Sequence, residues 1–270
     1  KKSGIAVLPP DINASFVNFT PEGTNIRFGL LAIKNLGVNI VDAVIDERGR
    51  GGPFKDFFDV ITRVKHKDLN KKSLESMAKA GVFDSFDIDR GTILANIDEV
   101  LAFIQAARKG EQSSQAGLFG VSYSYASPAP LQKKFQENSS PISAKEKLSS
   151  EKELLGLYIS GHPLDSYTAK FQDDRIKGIK NLIATKKYFN NKAIIAGVLS
   201  QVKKIVSKAG QPMLFAKLED MSATIEILAF SDLLNKRPEI WKEGNVIIVS
   251  GRLTSRNGEP KFVCEEAKEL

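Results

Sequence analysis

The amino-acid sequence predicts a multidomain α+β protein with an all-α N-terminal part, a linker, and an all-β C-terminal barrel of five strands. Three features support this fold class. Apolar residues recur at helical spacing up to about residue 109, and a stretch rich in Ser, Gln and Pro follows. Beyond residue 190 the apolar residues recur with the period of a β-strand.

The composition is typical of a cytoplasmic protein of two or three domains that binds an anionic partner. The 270 residues are 42% hydrophobic, and no apolar run reaches the roughly 18 residues of a membrane-spanning helix. The single cysteine, Cys264, cannot form an internal disulfide, which fits a reducing compartment. The net charge of +7 favours nucleic acid over a membrane as an anionic partner, because no long amphipathic basic helix is evident. A lysine-rich protein that is merely soluble is the alternative, and charge alone leaves both interpretations open.

The sequence argues against catalysis by these residues. Neither His66 nor His162 lies at ligand spacing from Cys, His or carboxylate residues, so we expect no zinc site. A glycine-rich phosphate loop and a nucleophile elbow are both missing from the sequence. The acidic pairs Asp173-Asp174 and Glu265-Glu266 are more typical of a solvated surface than of a metal site. We therefore expect no catalytic residue, metal or cofactor within this stretch.

The first hairpin of the helical part is predicted around Gly37. Residues 1–25 should be irregular or form short extended pieces, since prolines and glycines interrupt them. In the domain predicted over residues 26–109, a first helical stretch ends near Leu36 and the apolar spacing resumes at Ile40. Gly37-Val38-Asn39 is therefore predicted as a tight turn in the left-handed conformation, which Gly and, less readily, Asn adopt.

The second hairpin is predicted around Gly81. A helix over residues 71–80 should end at this glycine, the residue type that a helix C-terminus favours. Two further helices are predicted over residues 54–61 and 89–108. The helix, glycine turn and helix thus occur twice.

A tight turn of this kind can bind a phosphate. It points the free N–H groups at the start of the next helix, the positive end of the helix dipole, towards one anion without reading base sequence. The candidate contacts to a DNA phosphate are Lys34, Gly37, Asn39 and Gly81. An ordinary corner between two helices is the alternative, and both interpretations stay open.

A linker and a connector should separate the helical part from the barrel. Residues 110–148 are predicted as a flexible linker, and residues 149–190 as a helical connector. Ser150 and Glu153 have the spacing of a capping box, which predicts a helix start at Ser150. Gly161 and Pro163 predict its end.

Residues 191–270 have the element order of an OB-fold barrel, which is five strands with one helix between the third and the fourth. Asn257-Gly258 favours a two-residue hairpin turn between the last two strands. The predicted strands cover residues 193–206, 213–218, 224–230, 246–253 and 261–264, and the helix covers residues 233–241.

An OB barrel binds single strands with basic side chains for the backbone and aromatic side chains for the bases. Alternation along the second strand places Phe215 on the face of Lys217 and away from Leu214, so Phe215 should be exposed. Phe230 is expected in the core. The candidate single-strand contacts are Lys203, Lys204, Lys208, Phe215, Lys217, Arg252 and Arg256.

Long motifs resemble the alpha subunit of bacterial DNA polymerase III, the C-family replicative polymerase. They are PPDINASFVNFTPEGTNIRFGLLAIKNLG (residues 9–37), NKKSLESMAKAGVFDSF (70–86), EKELLGLYISGHPLDSY (151–167) and GQPMLFAKLEDMSATIEILAF (210–230). The resemblance implies the end of the fingers region over residues 1–25, a tandem helix-hairpin-helix domain, a clamp-binding segment and an OB domain. It also implies other replicase subunits as partners. The catalytic palm with its metal-binding aspartates, where Mg²⁺ is expected, and a phosphoesterase-like domain should lie upstream, so this stretch alone should not polymerise.

The resemblance gives the linker a function. In this family a short peptide with the pattern Gln, two variable residues, Leu and Phe docks onto the ring-shaped sliding clamp. Gln115, Leu118 and Phe119 match its defining positions. Leu118 and Phe119 would fill an apolar pocket while the Gln115 amide makes directional hydrogen bonds. A minor packing contact against the preceding helix is the alternative.

Two residues depart from the family's patterns. Gly117 stands where the clamp peptide often carries a polar residue, which can weaken binding. Asn39 is placed at the second glycine of the general Gly-x-Gly form of the hairpin. Two other functions also stay open, namely the same region of an error-prone paralogue and a free-standing nucleic-acid-binding adaptor.

Overall fold

A computed structural model describes residues 4–114, 131–132, 134–135, 140–171, 173, 175–185, 189–206, 210–256 and 259–270. The chain divides into two compact units, Lys1–Ser160 and Gly161–Leu270. Each unit has its own hydrophobic core.

The first unit begins with a small three-stranded sheet. Its strands are β1 (Val7–Leu8), β2 (Thr20–Glu22) and β3 (Asn25–Arg27), where β3 pairs in parallel with β1 and antiparallel with β2. The short extended pieces predicted over residues 1–25 are therefore present. Ile12 is fully buried in the core that the helices share, so this segment packs with the helical part.

Helices follow the sheet in the described part of the first unit. Their apolar faces share one core with Phe28, Leu30 and Ile33. The helices are α1 (Val38–Gly51), α2 (Phe57–Arg63), α3 (Lys71–Ala80), α4 (Arg90–Ala95), α5 (Ile97–Ser114) and α6 (Ala144–Leu155).

The helix predicted before Gly37 is only a single 3-10 turn, Leu30–Ala32. Backbone hydrogen bonds from the N–H groups of Leu30 and Leu31 go to Phe16 and Val17, so these groups cannot support an α-helix. Gly29 permits this close approach, because a Cβ there would lie 2.5 Å from the carbonyl carbon of Asn18. Long-range pairing therefore overrides the helical spacing of the apolar residues.

The helix predicted over residues 89–108 consists of two helices, α4 and α5. Asn96 separates them, and its side-chain Nδ2 donates to the carbonyl of Thr92 over 2.9 Å. A buried side chain that bonds the backbone in this way competes with the regular helical pattern. The apolar period continues through the break, which is why the sequence did not reveal it.

Helix α6 begins seven residues before the predicted start. Its capping box is Ser143 and Glu146, with the Glu146 N–H 3.2 Å from the Ser143 hydroxyl, whereas Ser150 lies inside the helix. Both serines have Glu three residues later, and Pro141 precedes only the first, which favours a helix start there. The helix ends at Gly156, in the left-handed conformation at φ 76°, and not at Gly161.

Helix α6 packs against α3 within the first unit, so this helix of the predicted connector belongs to the helical part. Its Glu151 side chain is almost fully buried, and one carboxylate oxygen, Oε2, accepts the N–H groups of Ile159 and Ser160 over 2.9 and 3.0 Å. This carboxylate therefore fixes the last residues of the first unit.

The second unit is a closed barrel with strand order β4-β5-β6-β8-β7, which confirms the predicted barrel. Its strands are β4 (Lys192–Val206), β5 (Pro212–Glu219), β6 (Thr224–Phe230), β7 (Val246–Arg256) and β8 (Glu259–Glu269). Its helices are α7 (Thr168–Phe171), α8 (Ile179–Ala184) and α9 (Ser231–Lys236). Helix α9 lies between the third and fourth barrel strands, as predicted.

The first barrel strand, β4, closes the barrel because it pairs with two neighbours. Residues 192–198 pair with β7, and residues 198–206 pair with β5. A register shift between Leu199 and Gln201 marks an irregularity in the second ladder. The side chains of Leu214, Ile227 and Phe262 fill the interior, so the ligand-accessible surface of the barrel is its outer face.

Candidate nucleic-acid interface

The first hairpin turn lies at Asn35-Leu36-Gly37, two residues before the predicted position. Asn35 is the left-handed residue, at φ 69°. Gly37 has an extended conformation, at φ −89°, and is the N-cap of α1, while Asn39 lies within the first turn of that helix. The Gly-x-Gly form therefore corresponds to residues 35–37, with Asn at the first glycine. The expectation of a left-handed Gly37 and of Asn39 at the second glycine is corrected accordingly.

The exposed surface of this turn combines a cation with the start of a long helix. Lys34, Gly37 and Asn39 are all exposed, whereas Leu36 and Ile40 are buried and anchor the turn to the core. No side chain among the described residues caps α1 at Gly37, and no acidic residue lies in its first turn. Free N–H groups at the positive end of a 14-residue helix can bind an anion.

Two side-chain contacts and one backbone contact hold this turn in place. Asn35 Nδ2 donates to the hydroxyl of Ser76 on α3 over 3.2 Å, and Asn39 Nδ2 donates to the carboxylate of Asp68 over 3.4 Å. The backbone N–H of Lys34 donates to the carbonyl of Leu154 in α6 over 3.0 Å. The turn is therefore attached to three separate segments of the helical unit.

The second turn, at Gly81, has a different environment. Gly81 is buried and left-handed, at φ 86°, and forms the C-cap of α3. A Cβ at this position would collide with the guanidinium of Arg90. After the turn the chain forms only a 3-10 turn, Asp84–Phe86, and the next helix, α4, is capped by the Asp89 side chain on the N–H of Gly91. Gly81 thus does not join the exposed residues of the first turn.

Arg90 fills the second turn through a buried network. Its Nε donates to Asp84 over 2.8 Å, and its Nη1 donates to the carbonyl of Lys79 over 2.9 Å. Its Nη2 is 3.1 Å from the buried carboxylate of Glu151. Burial opposes the charged guanidinium, but hydrogen bonds and the charges of Asp84 and Glu151 outweigh it and raise the pKa of Arg90 above its usual value. The turn at Gly81 is therefore occupied by a cation of the same chain, the guanidinium of Arg90.

On the barrel, the strand register brings several predicted residues into one row across the outer face. Lys203 pairs with Phe215, Phe215 with Leu228, and Leu228 with Val263, across β4, β5, β6 and β8. Arg252 of β7 continues the row beside Val263. A cation therefore stands at each end of a row of apolar side chains, of which Leu228 in the middle is buried.

The alternation predicted for β5 is confirmed. Leu214 is fully buried, Phe215 is half-buried, and Lys217 is exposed on the same face as Phe215. The ring of Phe215 has the Nζ of Lys261 at 5.9 Å from its centroid, and that Nζ also pairs with Glu226 over 2.6 Å. Phe215 thus lies on the outer face of the barrel beside a cation.

Phe230 lies on the outer face, with 47% of its surface exposed, so the expectation that it packs in the core is wrong. In β6, Ile225, Ile227 and Ala229 point inward, so Phe230 alternates outward and pairs with Met213 of β5. The alternation that identified Phe215 would also have identified Phe230. Phe215 and Phe230 therefore both lie on the outer face of β5 and β6.

The other barrel candidates are less favourably placed or lie beyond the structure. The register places Lys204 opposite buried Leu214, on the other face of β4 from Lys203. Arg252 is engaged by Glu265, with Nε 2.9 Å from the carboxylate. Lys208, the side chain of Arg256, and the clamp-peptide residues Gln115, Leu118 and Phe119 lie outside the described residues.

Of the acidic pairs named from the sequence, Asp173 and Glu265 form surface ion pairs, and Glu266 accepts a hydrogen bond from the Ser250 hydroxyl over 3.4 Å. Asp173 pairs with Arg175 over 2.6 Å, and the hydrogen bonds from Arg175 lower the pKa of Asp173 to about 2. Among the described residues there is no group of three or more His, Cys, Asp or Glu side chains that could hold a metal. No helix in the described part of the chain is long and apolar enough to cross a membrane.

Comparison with known families identifies both units. The family model for a helix-hairpin-helix motif matches residues 4–93, and the model for an OB-fold nucleic acid binding domain matches residues 193–270. The predicted fold class is thereby confirmed. The chain belongs to the class of multidomain proteins that combine these two kinds of domain.

The curated relatives are more specific. The DNA polymerase III subunit alpha of Borreliella burgdorferi is 38% identical over 268 residues, which is 98% of this chain and 23% of the relative. The same subunit of Treponema pallidum is 34% identical over 90% of this chain and 20% of the relative, and that of Mycobacterium tuberculosis H37Rv is 32% identical over 98% and 22%. The chain thus spans less than a quarter of the length of these relatives. Over nearly its whole length it is homologous to one part of the DNA polymerase III alpha subunits, the family that its motifs indicated.

Proposed function

We propose that this chain is the DNA-binding and clamp-tethering portion of a DNA polymerase III alpha subunit and supports processive, template-directed DNA synthesis. The observation that carries the proposal is the exposed, uncapped start of α1 beside Lys34, in a unit that matches a helix-hairpin-helix motif. The catalytic palm and its Mg²⁺ belong to another part of such a polymerase in this proposal, so the 270 residues alone do not polymerise.

The helical unit binds the duplex product of synthesis. Free N–H groups at the start of α1 donate hydrogen bonds to the oxygens of one backbone phosphate, and Lys34 neutralises its charge. Such contacts do not depend on base sequence, which is what a polymerase that moves along its product needs. The turn at Gly81 has no part in this contact, because Arg90 fills it.

The barrel binds single-stranded template on its outer face. Phe215 and Phe230 stack on bases, while Lys203 and Lys217 interact with the sugar–phosphate backbone. Stacking on an aromatic ring contributes about 1–3 kcal/mol per base and tolerates any base. This face therefore suits a strand whose sequence changes with every step of synthesis.

The peptide Gln115-Ala116-Gly117-Leu118-Phe119 binds the sliding clamp. Support comes from the match at its three defining positions and from its place in the chain, between the residues that match the helix-hairpin-helix motif, 4–93, and those that match the OB-fold domain, 193–270. Leu118 and Phe119 supply the apolar anchor and Gln115 the directional hydrogen bonds. Ordering the peptide on the clamp costs conformational entropy, which keeps the attachment reversible.

A crossed binding experiment tests the two DNA sites. Binding of the 270-residue chain to a blunt duplex and to a single strand is measured by fluorescence anisotropy at several salt concentrations. We expect Lys34→Ala to weaken duplex binding by roughly 3- to 10-fold and to reduce the salt slope by about 0.9, with single-strand binding unchanged. The Lys203→Ala/Phe215→Ala double variant should weaken single-strand binding and leave duplex binding unchanged.

The chain offers a matched control for each site. Arg50→Ala removes an exposed cation at the far end of α1, and Lys204→Ala removes a cation on the opposite face of β4. Neither control should change DNA affinity by more than about twofold. If Lys34→Ala binds duplex as tightly as the unmodified chain, the proposed duplex site is wrong.

Clamp binding is tested with the Leu118→Ala/Phe119→Ala double variant. We expect loss of binding to an immobilised sliding clamp in surface plasmon resonance, with DNA affinity unchanged. Tyr123→Ala/Tyr125→Ala, in the same stretch, is the control and should bind normally. Equal clamp affinity of all three chains would contradict the assignment.

A further inference from the structure

Two lysines beside the first turn have no role in the contacts described so far. They are Lys67, in the loop between α2 and α3, and Lys72, in the first turn of α3. We infer that Lys67 and Lys72 also contact phosphates of duplex DNA, an inference that rests on the proposed duplex site at the start of α1. The helical unit then contacts the duplex at several phosphates, through the turn, the loop before α3 and α3 itself, rather than at a single phosphate.

The loop that contains Lys67 is held against the start of α1. Asn39 Nδ2 donates to the carboxylate of Asp68, the residue directly after Lys67, over 3.4 Å. The loop is also ordered from within, since the N–H of Asp68 donates to Nδ1 of His66 over 3.2 Å. Lys67 is exposed and has no ion-pair or hydrogen-bond partner among the described residues. Its charge is therefore available beside the proposed phosphate site.

Lys72 lies on α3, the helix that Asn35 of the turn contacts. Asn35 Nδ2 donates to the hydroxyl of Ser76, and Lys72 lies one helical turn before Ser76 on the same face of α3. It too is exposed and without a partner in the described part of the chain. Its neighbour Lys71 forms an ion pair with Asp98 on α5, with Nζ 2.7 Å from the carboxylate.

The charge balance explains why flanking lysines are needed. Asp68 is the carboxylate that contacts the turn, and its side chain is 39% exposed. A carboxylate there repels an incoming phosphate. The hydrogen bond from Asn39 does not offset this repulsion, because the amide side chain of Asn39 carries no charge. Lys67 and Lys72, together with Lys34, give the surface a positive balance, which a polyanionic backbone requires.

The test compares Lys67→Ala, Lys72→Ala and their double variant in the 270-residue chain. Their binding to a blunt duplex and to a single strand is measured over a range of salt concentrations. Each single variant should lose roughly 3- to 10-fold in duplex affinity, and each should reduce the salt slope by about 0.9. The double variant should lose about the product of the two, and single-strand binding should not change. Lys71→Ala, which removes the adjacent and already paired cation, is the control and should bind duplex within about twofold of the unmodified chain.

The outcomes separate this inference from the proposed function. An unchanged affinity and salt slope in the double variant, together with weakened binding by Lys34→Ala, would overturn the inference and leave the duplex site in place. If Lys71→Ala weakens binding as much as Lys72→Ala, the effect is only a loss of general surface charge and the inference also fails. If Lys34→Ala has no effect, the proposed duplex site itself fails. All three lysines are exposed, and equal thermal unfolding of the variants verifies that the fold is intact.

Discussion

The turn at Asn35–Gly37 is open to solvent and leads into a helix start without a capping side chain, whereas the turn at Gly81 is buried around the guanidinium of Arg90. Both looked alike in the sequence, as a glycine between two helical stretches. The first leaves its backbone donors available to an anion from outside. The second brings a cation from its own chain into the corresponding space and pairs it with Asp84 and Glu151.

The difference shows that a glycine turn is not by itself a phosphate site. At Gly37 the backbone is extended, and a Cβ would meet no atom within 4 Å. At Gly81 the backbone is left-handed and the space is occupied, so the glycine is needed for packing. The segment after each turn decides its role, because a long uncapped helix begins at the first turn and a capped, filled corner lies at the second.

The largest expected effect on stability comes from removing the Arg90 guanidinium from the turn at Gly81. Arg90→Met removes the guanidinium and leaves the carboxylate of Glu151 buried without its cation. Breaking a buried ion pair from one side costs about 3–5 kcal/mol. The free energy of unfolding of the helical unit, followed by circular dichroism at 222 nm in urea, measures this loss.

The matched control is Arg50→Met, which removes an exposed partner of Glu47 on the surface of α1 and should cost less than about 1 kcal/mol. A similar small loss for Arg90→Met would show that the network contributes little to the stability of the second turn.

The next effect separates the two glycines directly. Gly81→Ala puts a Cβ into the left-handed conformation, which costs about 1–2 kcal/mol, and displaces the Arg90 guanidinium in addition. Gly37→Ala should cost less than about 1 kcal/mol, since the conformation is extended and the space is open. Urea midpoints of the two variants measure the difference, and equal losses would contradict the contrast between an open and a filled turn.

The smallest effect concerns the left-handed residue of the first turn. Asn35→Gly gives up the hydrogen bond to Ser76 but places glycine where φ is 69°. The two contributions are of opposite sign, so the free energy of unfolding should change by no more than about 0.5 kcal/mol. A loss well above 1 kcal/mol would mean that the contact with α3, and not the backbone conformation, determines the turn.

The barrel was predictable because its strands follow a simple alternation. The bounds predicted for the third strand, 224–230, agree with β6, and the face of Phe215 was predicted from parity and from Lys217 on the same face. The prediction for Phe230 was wrong because it followed the usual burial of large aromatic side chains, whereas the alternation along β6 directs this side chain outward. In short strands the alternation is thus a better guide to exposure than the size of a side chain.

The helical part was less predictable because distant contacts decide its details. The 3-10 turn before Ile33 depends on hydrogen bonds to Phe16 and Val17, which no local pattern indicates. The filling of the second turn depends on Glu151, 61 residues beyond Arg90. The start of α6 was a choice between two matching capping boxes, which local spacing could not resolve.

Glu151 links two tasks that a single substitution at this position cannot separate. Its Oε1 faces Arg90, while its Oε2 accepts the N–H groups of Ile159 and Ser160 at the end of the first unit. A substitution that removes the carboxylate at position 151 therefore removes the partner of the Arg90 guanidinium and the acceptor of the Ile159 and Ser160 N–H groups. Arg90→Met, by contrast, removes the partner of Oε1 and leaves both backbone hydrogen bonds to Oε2 in place.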